Sequence, residues 1–287
     1  MKISIAITTY NRKEYLYTVK RSVEAVKNIK RYNIRIYDDC SIEYDIDFLW
    51  SIFPNASEIK RRSSNLGADA NMRQVFLDFL DTTDDALFML DSDLICHPDC
   101  MEKIEGILGQ TDGILSIYNS TYHKGVDTLI IDDERCQIKK SVGAAGLVMV
   151  RSMVQRIVDN CPLSRTYDWD LSNYLLNNKI RLIVTERSYV QHIGIHGTNT
   201  GSSAATDFGF NFYLTENINE KILIDFFQEL ILAKDKIIAE LPSIVRKNVE
   251  VEINTSLEYR IIKILIIPAR KLKNIMNKII GKKQKRA

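Results

Sequence analysis

Apolar positions in the first hundred residues come in short continuous runs separated by amphipathic stretches. Ile3, Ile5 and Ile7 stand in a run from Lys2 to Thr8 whose other apolar member is small, which predicts a strand covered on both faces. Asn11-Arg12-Lys13-Glu14 opens a helix reaching about Asn28, with Tyr15, Val19, Val23 and Val26 on one face at helical spacing. The pattern continues with strands at Asn33–Tyr37, Glu58–Arg61 and Ala86–Leu90, helices at Ile46–Phe53 and Asn71–Leu80, and a turn at Asn65-Leu66-Gly67-Ala68. Strands alternating with helices of this length imply βαβ units and a mostly parallel sheet, hence an α/β fold.

The second half is less regular. Strands are predicted at Gly113–Tyr118, Thr128–Ile131, Arg181–Thr185 and Tyr189–Ile193, and helices at Met153–Asn160, Asp168–Leu176 and Glu220–Glu240, with a small, apolar run at Ala144–Val150. Residues 194–209 hold four glycines among Ser, Thr, Ala and Asn, a composition that suggests a lid. No internal repeat is present. The division this implies is 1–215 as one catalytic unit, with halves at about 1–110 and 111–215, followed by a helical region at 216–287.

Charge changes the picture of that last region. The chain of 287 residues carries a net +2, but residues 257–287 hold ten basic residues and one acid, a net +9, which leaves −7 on residues 1–256. Leu272, Ile275, Met276, Ile279 and Ile280 share one helical face, while Lys271, Lys273, Lys278 and Lys282 fall mostly elsewhere. That is the pattern of an interfacial helix on an anionic leaflet, the alternative being a face packed on the body or on a second subunit. No apolar stretch of about 18 residues exists to span a bilayer, and the N-terminus predicts no signal peptide. Five cysteines, an odd count without an export signal, imply reduced thiols in the cytoplasm. Cys96-His97-Pro98-Asp99-Cys100 reads as a buried or loop thiol pair, with a zinc clip as the alternative.

Chemistry is concentrated at the ends of the predicted strands. Thr8-Thr9-Tyr10-Asn11, Asp38-Asp39 and Asp91-Ser92-Asp93 all follow apolar runs, and open parallel sheets bind ligands beyond the carboxyl ends of their strands. Asp91 and Asp93 end a strand that reads as buried, with no Lys or Arg within eight residues on either side. Buried carboxylates need a cation or donors, and a hard divalent ion is one answer; a helix-capping acid pair is the other. No glycine-rich dinucleotide fingerprint and no phosphate-binding Gly-Lys-Ser/Thr loop is present.

Six stretches together resemble the inverting nucleotide-sugar glycosyltransferases of the GT-A fold, the large bacterial family 2 type that builds polysaccharides and glycoproteins. They are SIAITTYNR (4–12), IYDDCS (36–41), NLGADANMR (65–73), LDSD (90–93), YDWDLSNYL (167–175) and VQHIG (190–194), and the resemblance covers about residues 1–200. It implies a GT-A domain of flanking helices on a Rossmann-like mixed sheet. Thr8, Tyr10 and Arg12 would hold the uridine, and Asp39 would accept from uracil N3–H, with Asp38 as the nearby alternative. Asp91 and Ser92 would line the donor site, and Asp91, Asp93 and His192 would hold Mn2+ or Mg2+. Arg73 would reach the donor phosphate or sugar. Asp168 would be the base that deprotonates the acceptor hydroxyl, with Asp170 beside it; helix capping is the other use for both. His192 as a core histidine is the alternative to a ligand. His97, His123 and His196 read as surface or lid residues, with His196 in reach of the diphosphate.

The function implied is metal-dependent, inverting transfer from a UDP-sugar to a glycan, glycoprotein or lipid-linked acceptor, with UDP-galactose, UDP-glucose or UDP-N-acetylglucosamine as donor. The implied location is the cytoplasm, with peripheral attachment to the inner face of the cell membrane through 257–287. The rival enzyme class, a nucleotidyltransferase making NDP-sugars, would need a basic glycine-rich loop after the first strand. A nucleic-acid-binding protein using the basic tail is disfavoured by the acidic body and by the lack of a recognition motif.

Overall fold

The computed structural model describes residues 1–212 apart from 121–122, 142, 163, 165 and 195–208. The expectations for the helix at Glu220–Glu240, the basic tail, His196 and the body of the 194–209 loop lie outside these residues.

The chain runs β1 (Ile3–Thr9), α1 (Lys13–Glu24), β2 (Asn33–Asp38), α2 (Ile46–Ile52), β3 (Glu58–Arg61), α3 (Ala68–Leu80), β4 (Ala86–Asp91), β5 (Leu94–Cys96) and α4 (Cys100–Ile107). It continues β6 (Ile114–Ser116), β7 (Gly125–Ile131), β8 (Glu134–Lys139), β9 (Leu147–Val150), α5 (Arg151–Asn160), α6 (Tyr167–Asn177), β10 (Leu182–Thr185) and β11 (Val190–His192). Among the described residues nine strands form one sheet in the order β3-β2-β1-β4-β9-β6-β10-β8-β7, and β5 pairs with β11 in a separate ribbon.

The parallel expectation holds for β3-β2-β1-β4. Beyond β4 the sheet is mixed, as the GT-A expectation has it: β9 runs antiparallel to both β4 and β6, β10 runs parallel to β6, and β8 antiparallel to β10 and β7. Asp132 and Asp133, both at positive φ, make the two-residue turn between β7 and β8, the left-handed pair that suits strand twist in a tight hairpin.

Side chains alternate across the sheet, and this explains why its strands are continuously apolar. Ile3, Ile5 and Ile7 of β1 and Phe88 and Leu90 of β4 face Leu16, Val19 and Val23 of α1. Ala6 of β1 and Leu87 and Met89 of β4 face the opposite layer, where α3, α5 and α6 contribute Phe76, Phe79, Val154 and Leu171. Helix α1 ends at Glu24 rather than near Asn28: the Val26 N–H already bonds to Val23, three residues back, and Asn28 then adopts a left-handed conformation before a short 3-10 turn. Among the described residues no helix is long and apolar enough to cross a membrane.

Candidate active site

Parallel pairing in register brings the polar strand ends together. Thr8 lies opposite Asp91, and Thr9 opposite Asp38. The Thr8 hydroxyl donates to Asp91 Oδ1 at 2.5 Å, and the Ser92 N–H donates to the Thr8 carbonyl at 2.9 Å. The chain turns at Ser92 and starts β5. Because β5 pairs with β11, His192 lies opposite Leu94 and comes to Asp93 from about a hundred residues away.

Asp93 is the best-compensated acid in the site. Its Oδ2 accepts from Arg12 Nη1 at 2.5 Å and stands 3.2 Å from His192 Nε2. Burial opposes its charge, but the His192 hydrogen bond and the charges of His192 and Arg12 outweigh burial and hold it at about 2. Burial likewise works against charge on His192, and Asp93 reverses that and raises the imidazole. Gly194 presses so close that a Cβ there would sit 2.1 Å from Asp93 Oδ2, so a larger residue would push that carboxylate out of place. Asp91, by contrast, is raised, first by burial and then by the Asp93 charge.

Arg12 reaches Asp93 because the chain reverses tightly after β1. Asn11 and Arg12 both hold positive φ, 54° and 58°. The Asn11 side-chain oxygen accepts from Ile42 N at 2.8 Å, its N–H donates to Ser41 Oγ, and Tyr44 donates to its carbonyl. These bonds offset the cost of a left-handed pair, which is of order 1–3 kcal/mol per strained residue.

The two acids after β2 divide cleanly. Asp38 is fully buried, accepts from the Ser41 hydroxyl and N–H, and pairs with Arg61 at 3.0 Å. Asp39 faces the cleft and accepts from Leu66 N at 2.8 Å and Gly67 N at 2.9 Å. Gly67, with φ of 81°, gives the turn that aims α3 into the cleft.

Asp168 and Asp170 divide as well. Asp168, in the first turn of α6, lines the cleft and accepts from the Ala144 N–H. One side is open to solvent; the other is crowded by protein, and this crowding, then the charges of Asp91 and Asp69, push its carboxyl up to about 6. Asp170 instead accepts from Ser164 N and Oγ, both at 2.6 Å, and is lowered by them.

The whole is one cleft of about 540 Å³ that Thr8, Tyr10, Arg12, Asp39, Ser92 and Asp168 share with Asp91, Asp93 and His192. Residues 4–154, which include most of this cleft, match the family described as Glycosyl transferase family 2. The chain belongs to that family. Its fold is the GT-A fold, and crystal structures of S. aureus TarS share it. TarS 1–349 in complex with UDP-GlcNAc is 14% identical with a TM-score of 0.53, over 71% of this chain and 62% of that one. TarS 1–349 in complex with UDP is 14% identical with a TM-score of 0.50, over 66% and 60%. At that identity the likeness shows the fold alone, and the chain spans about three fifths of the TarS 1–349 chains it matches. No curated protein matches the sequence.

For a family 2 chain the donor set suits a hard divalent ion. Two carboxylates and an imidazole are ligands for Mn2+ or Mg2+. The 3.2 Å between Asp93 Oδ2 and His192 Nε2 is close to the spacing of about 3 Å expected for neighbouring ligands each about 2.1 Å from one octahedral ion. Among the described residues no three His, Cys, Asp or Glu side chains stand ready as a cage. Asp91 is turned to Thr8, and Asp93 is also held by Arg12. Magnesium-type sites commonly use one or two carboxylates and complete the shell with water and substrate phosphate, so the pair fits.

Some expectations do not hold. Arg73 is exposed and does not line the cleft; α3 presents Asp69, Asn71 and Met72 there, and residue 73 is rotated past them. His97 is buried, not a surface residue. Its Nδ1 accepts from Asp99 N, its ring packs edge-on against Tyr189, and burial first pushes it down to about 4. Cys96 and Cys100 form a buried thiol pair, with burial raising Cys100 far above the usual thiol range. Asp69 and Tyr167 line the cleft without having been singled out for it; each sits in the first turn of a helix, one inside NLGADANMR and one inside YDWDL.

Proposed function

We propose that this chain transfers a sugar from a UDP-sugar to an acceptor hydroxyl in one inverting displacement that depends on a divalent cation. The observation that carries the reading is the division of the cleft. One part holds an acid kept ionised by Arg12 and His192, and the other holds Asp168, which pairs with no cation among the described residues and is raised towards neutrality. A leaving diphosphate needs the first environment, and a hydroxyl that must lose its proton needs the second.

Asp39, with lone pairs beyond the two that the backbone uses, accepts the uracil N3–H, while Tyr10 and Thr8 edge the nucleotide. Asp93 and His192 would hold Mn2+ or Mg2+, with Asp91 beside them; when bound, such an ion supplies Lewis-acid stabilisation of the charge on departing UDP. Arg12 adds fixed positive charge at the same place. Asp168 takes the proton from the acceptor hydroxyl as its oxygen bonds to the anomeric carbon. The bond from that carbon to UDP breaks, and the configuration inverts. Of the three donors named above, the UDP-GlcNAc bound by TarS makes UDP-N-acetylglucosamine the first to test. Residues 1–215 would form the catalytic unit. Residues 216–287 would form a helical extension whose basic tail, 257–287, would attach it peripherally to an anionic membrane, which suits a lipid-linked acceptor as well as glycan or glycoprotein assembly at a bacterial surface.

The test is release of UDP from UDP-sugars with Mn2+ or Mg2+, repeated in EDTA. Turnover of one donor that is lost in EDTA supports the reading. Full turnover in EDTA removes the cation, and no turnover of any UDP-sugar removes the donor class. Sedimentation with anionic vesicles, lost when residues 257–287 are deleted, tests the tail; each Lys or Arg at such a surface contributes about 1 kcal/mol.

A further inference from the structure

Asp69 is the one cleft carboxylate whose arrangement the reaction above does not use. Asp91 is bonded to Thr8, Asp93 to Arg12, Asp39 to two backbone N–H groups, and Asp168 to the Ala144 N–H. Asp69 is half-buried, lines the cleft, and makes no hydrogen bond or ion pair with any described residue.

Its place in the fold is set at both ends of α3. At the start, Gly67 is tied to Asp39, at the position read here as the uracil pocket. Further along, Phe76 packs against the Tyr167 ring, at 6.0 Å between centroids, next to the base Asp168. Asp69 stands on the stretch between these two anchors. In an in-line displacement the base approaches the sugar from the side away from the nucleotide, so what lies between nucleotide pocket and base is the transferred sugar. That Asp69's charge reaches Asp168 agrees with this placement.

We infer that Asp69 determines donor specificity by accepting hydrogen bonds from hydroxyl groups of the transferred sugar. An ionised carboxylate is acceptor-only and can take two O–H donors at once. A pyranose offers adjacent hydroxyls, whereas uracil and diphosphate offer it none. The inference rests on the UDP-sugar reading above.

The experiment uses the full chain with Mn2+ and the UDP-sugar it hydrolyses fastest. Affinities for UDP and for that UDP-sugar are measured by calorimetry in wild type, Asp69→Asn and Asp69→Glu. Loss of a hydrogen bond to a charged group predicts about 10- to 100-fold weaker UDP-sugar binding in Asp69→Asn, with UDP changed less than about twofold. Asp69→Glu, which keeps the charge but moves it, should retain part of the affinity. Donors lacking single hydroxyls sharpen the test: one of them should bind wild type weakly, yet bind Asp69→Asn no worse than the intact donor does. An equal fall for UDP and UDP-sugar makes the residue structural and overturns the inference. So does unchanged UDP-sugar affinity, or an effect confined to the acceptor KM. If wild type binds and hydrolyses no UDP-sugar, the donor reading itself falls and this inference falls with it.

Discussion

Asp93 and Asp168 are the same side chain in two parts of one cleft, and their surroundings give them opposite characters. Asp93 is buried, clamped by Arg12 and His192, and held at about 2. Asp168 is open on one side, meets no cation among the described residues, and is lifted to about 6 by crowding and by the charges of Asp91 and Asp69. The first is a permanent anion, useful as a ligand for a cation. The second can hold or release a proton near neutral pH, as a base must. Neighbours, not residue type, set the two acids apart and suit them to the roles proposed.

The contrast breaks most sharply at Asp168. Asp168→Asn keeps the shape and the acceptor for the Ala144 N–H but cannot take a proton. Transfer should fall by roughly 10²–10⁴, the range for loss of a general base, while UDP affinity measured by calorimetry stays the same. Transfer within a factor of two of wild type would place the base elsewhere.

Asp93 should fail in the complementary way. Asp93→Ala removes an acid that two cations share, and it should weaken Mn2+-dependent UDP binding by about 10- to 100-fold, the scale seen even for partners of metal ligands. Mn2+ titration followed by electron paramagnetic resonance reads this directly. Unchanged metal affinity would leave the Arg12–Asp93–His192 cluster as a purely structural ion pair.

How much of this was open to reading from the sequence follows from the range of each interaction. Strands β1 to β4 were legible because a sheet covered on both faces demands unbroken apolar runs, and the run Ala86–Leu90 is such a signal on its own. Strand β5 was missed, since three residues carry no period and its partner β11 is about ninety residues away. A mixed sheet was expected from the resemblance, but which strands run antiparallel was not legible for the same reason: Leu147–Val150 reads alike in either orientation. Asp39, Asp91 and Asp93 stood out as polar residues at strand ends, whereas Asp168 and His192 came from the resemblance; the fold brings all five to one cleft. That Arg12 clamps Asp93, that Asp69 finds no partner among the described residues and that His97 is buried are products of tertiary packing. Arg73 failed on helical phase, for one residue turns a side chain through about 100°.

A pH profile sharpens the comparison more finely. A base must be ionised, and Asp168 has its folded value raised, so activity is present above that value and lost as pH falls through it. The acid limb of kcat should lie no higher than about pH 6 and drop about tenfold per unit below it. Asp69→Asn removes one of the charges that lift Asp168, and should move the limb to lower pH. An acid limb well above pH 6, or one that Asp69→Asn leaves unmoved, would exclude Asp168 as the titrating base. Asp93, already at about 2, contributes no limb in this window.

The smallest expected effect tests the comparison at closest range. Asp170 lies two residues from Asp168 and carries the same charge, so a mere excess of negative charge near the acceptor would make the two interchangeable. The geometry says otherwise. Helical spacing turns Asp170 about 200° from Asp168, and its carboxylate is spent on the Ser164 N–H and hydroxyl. Asp170→Asn keeps an oxygen acceptor for both donors. Transfer should therefore change by less than about twofold, and the acid limb of the pH profile should not move. An Asp170→Asn enzyme that is dead while Asp168→Asn still turns over would exchange the two roles and show that α6 presents its other face to the acceptor.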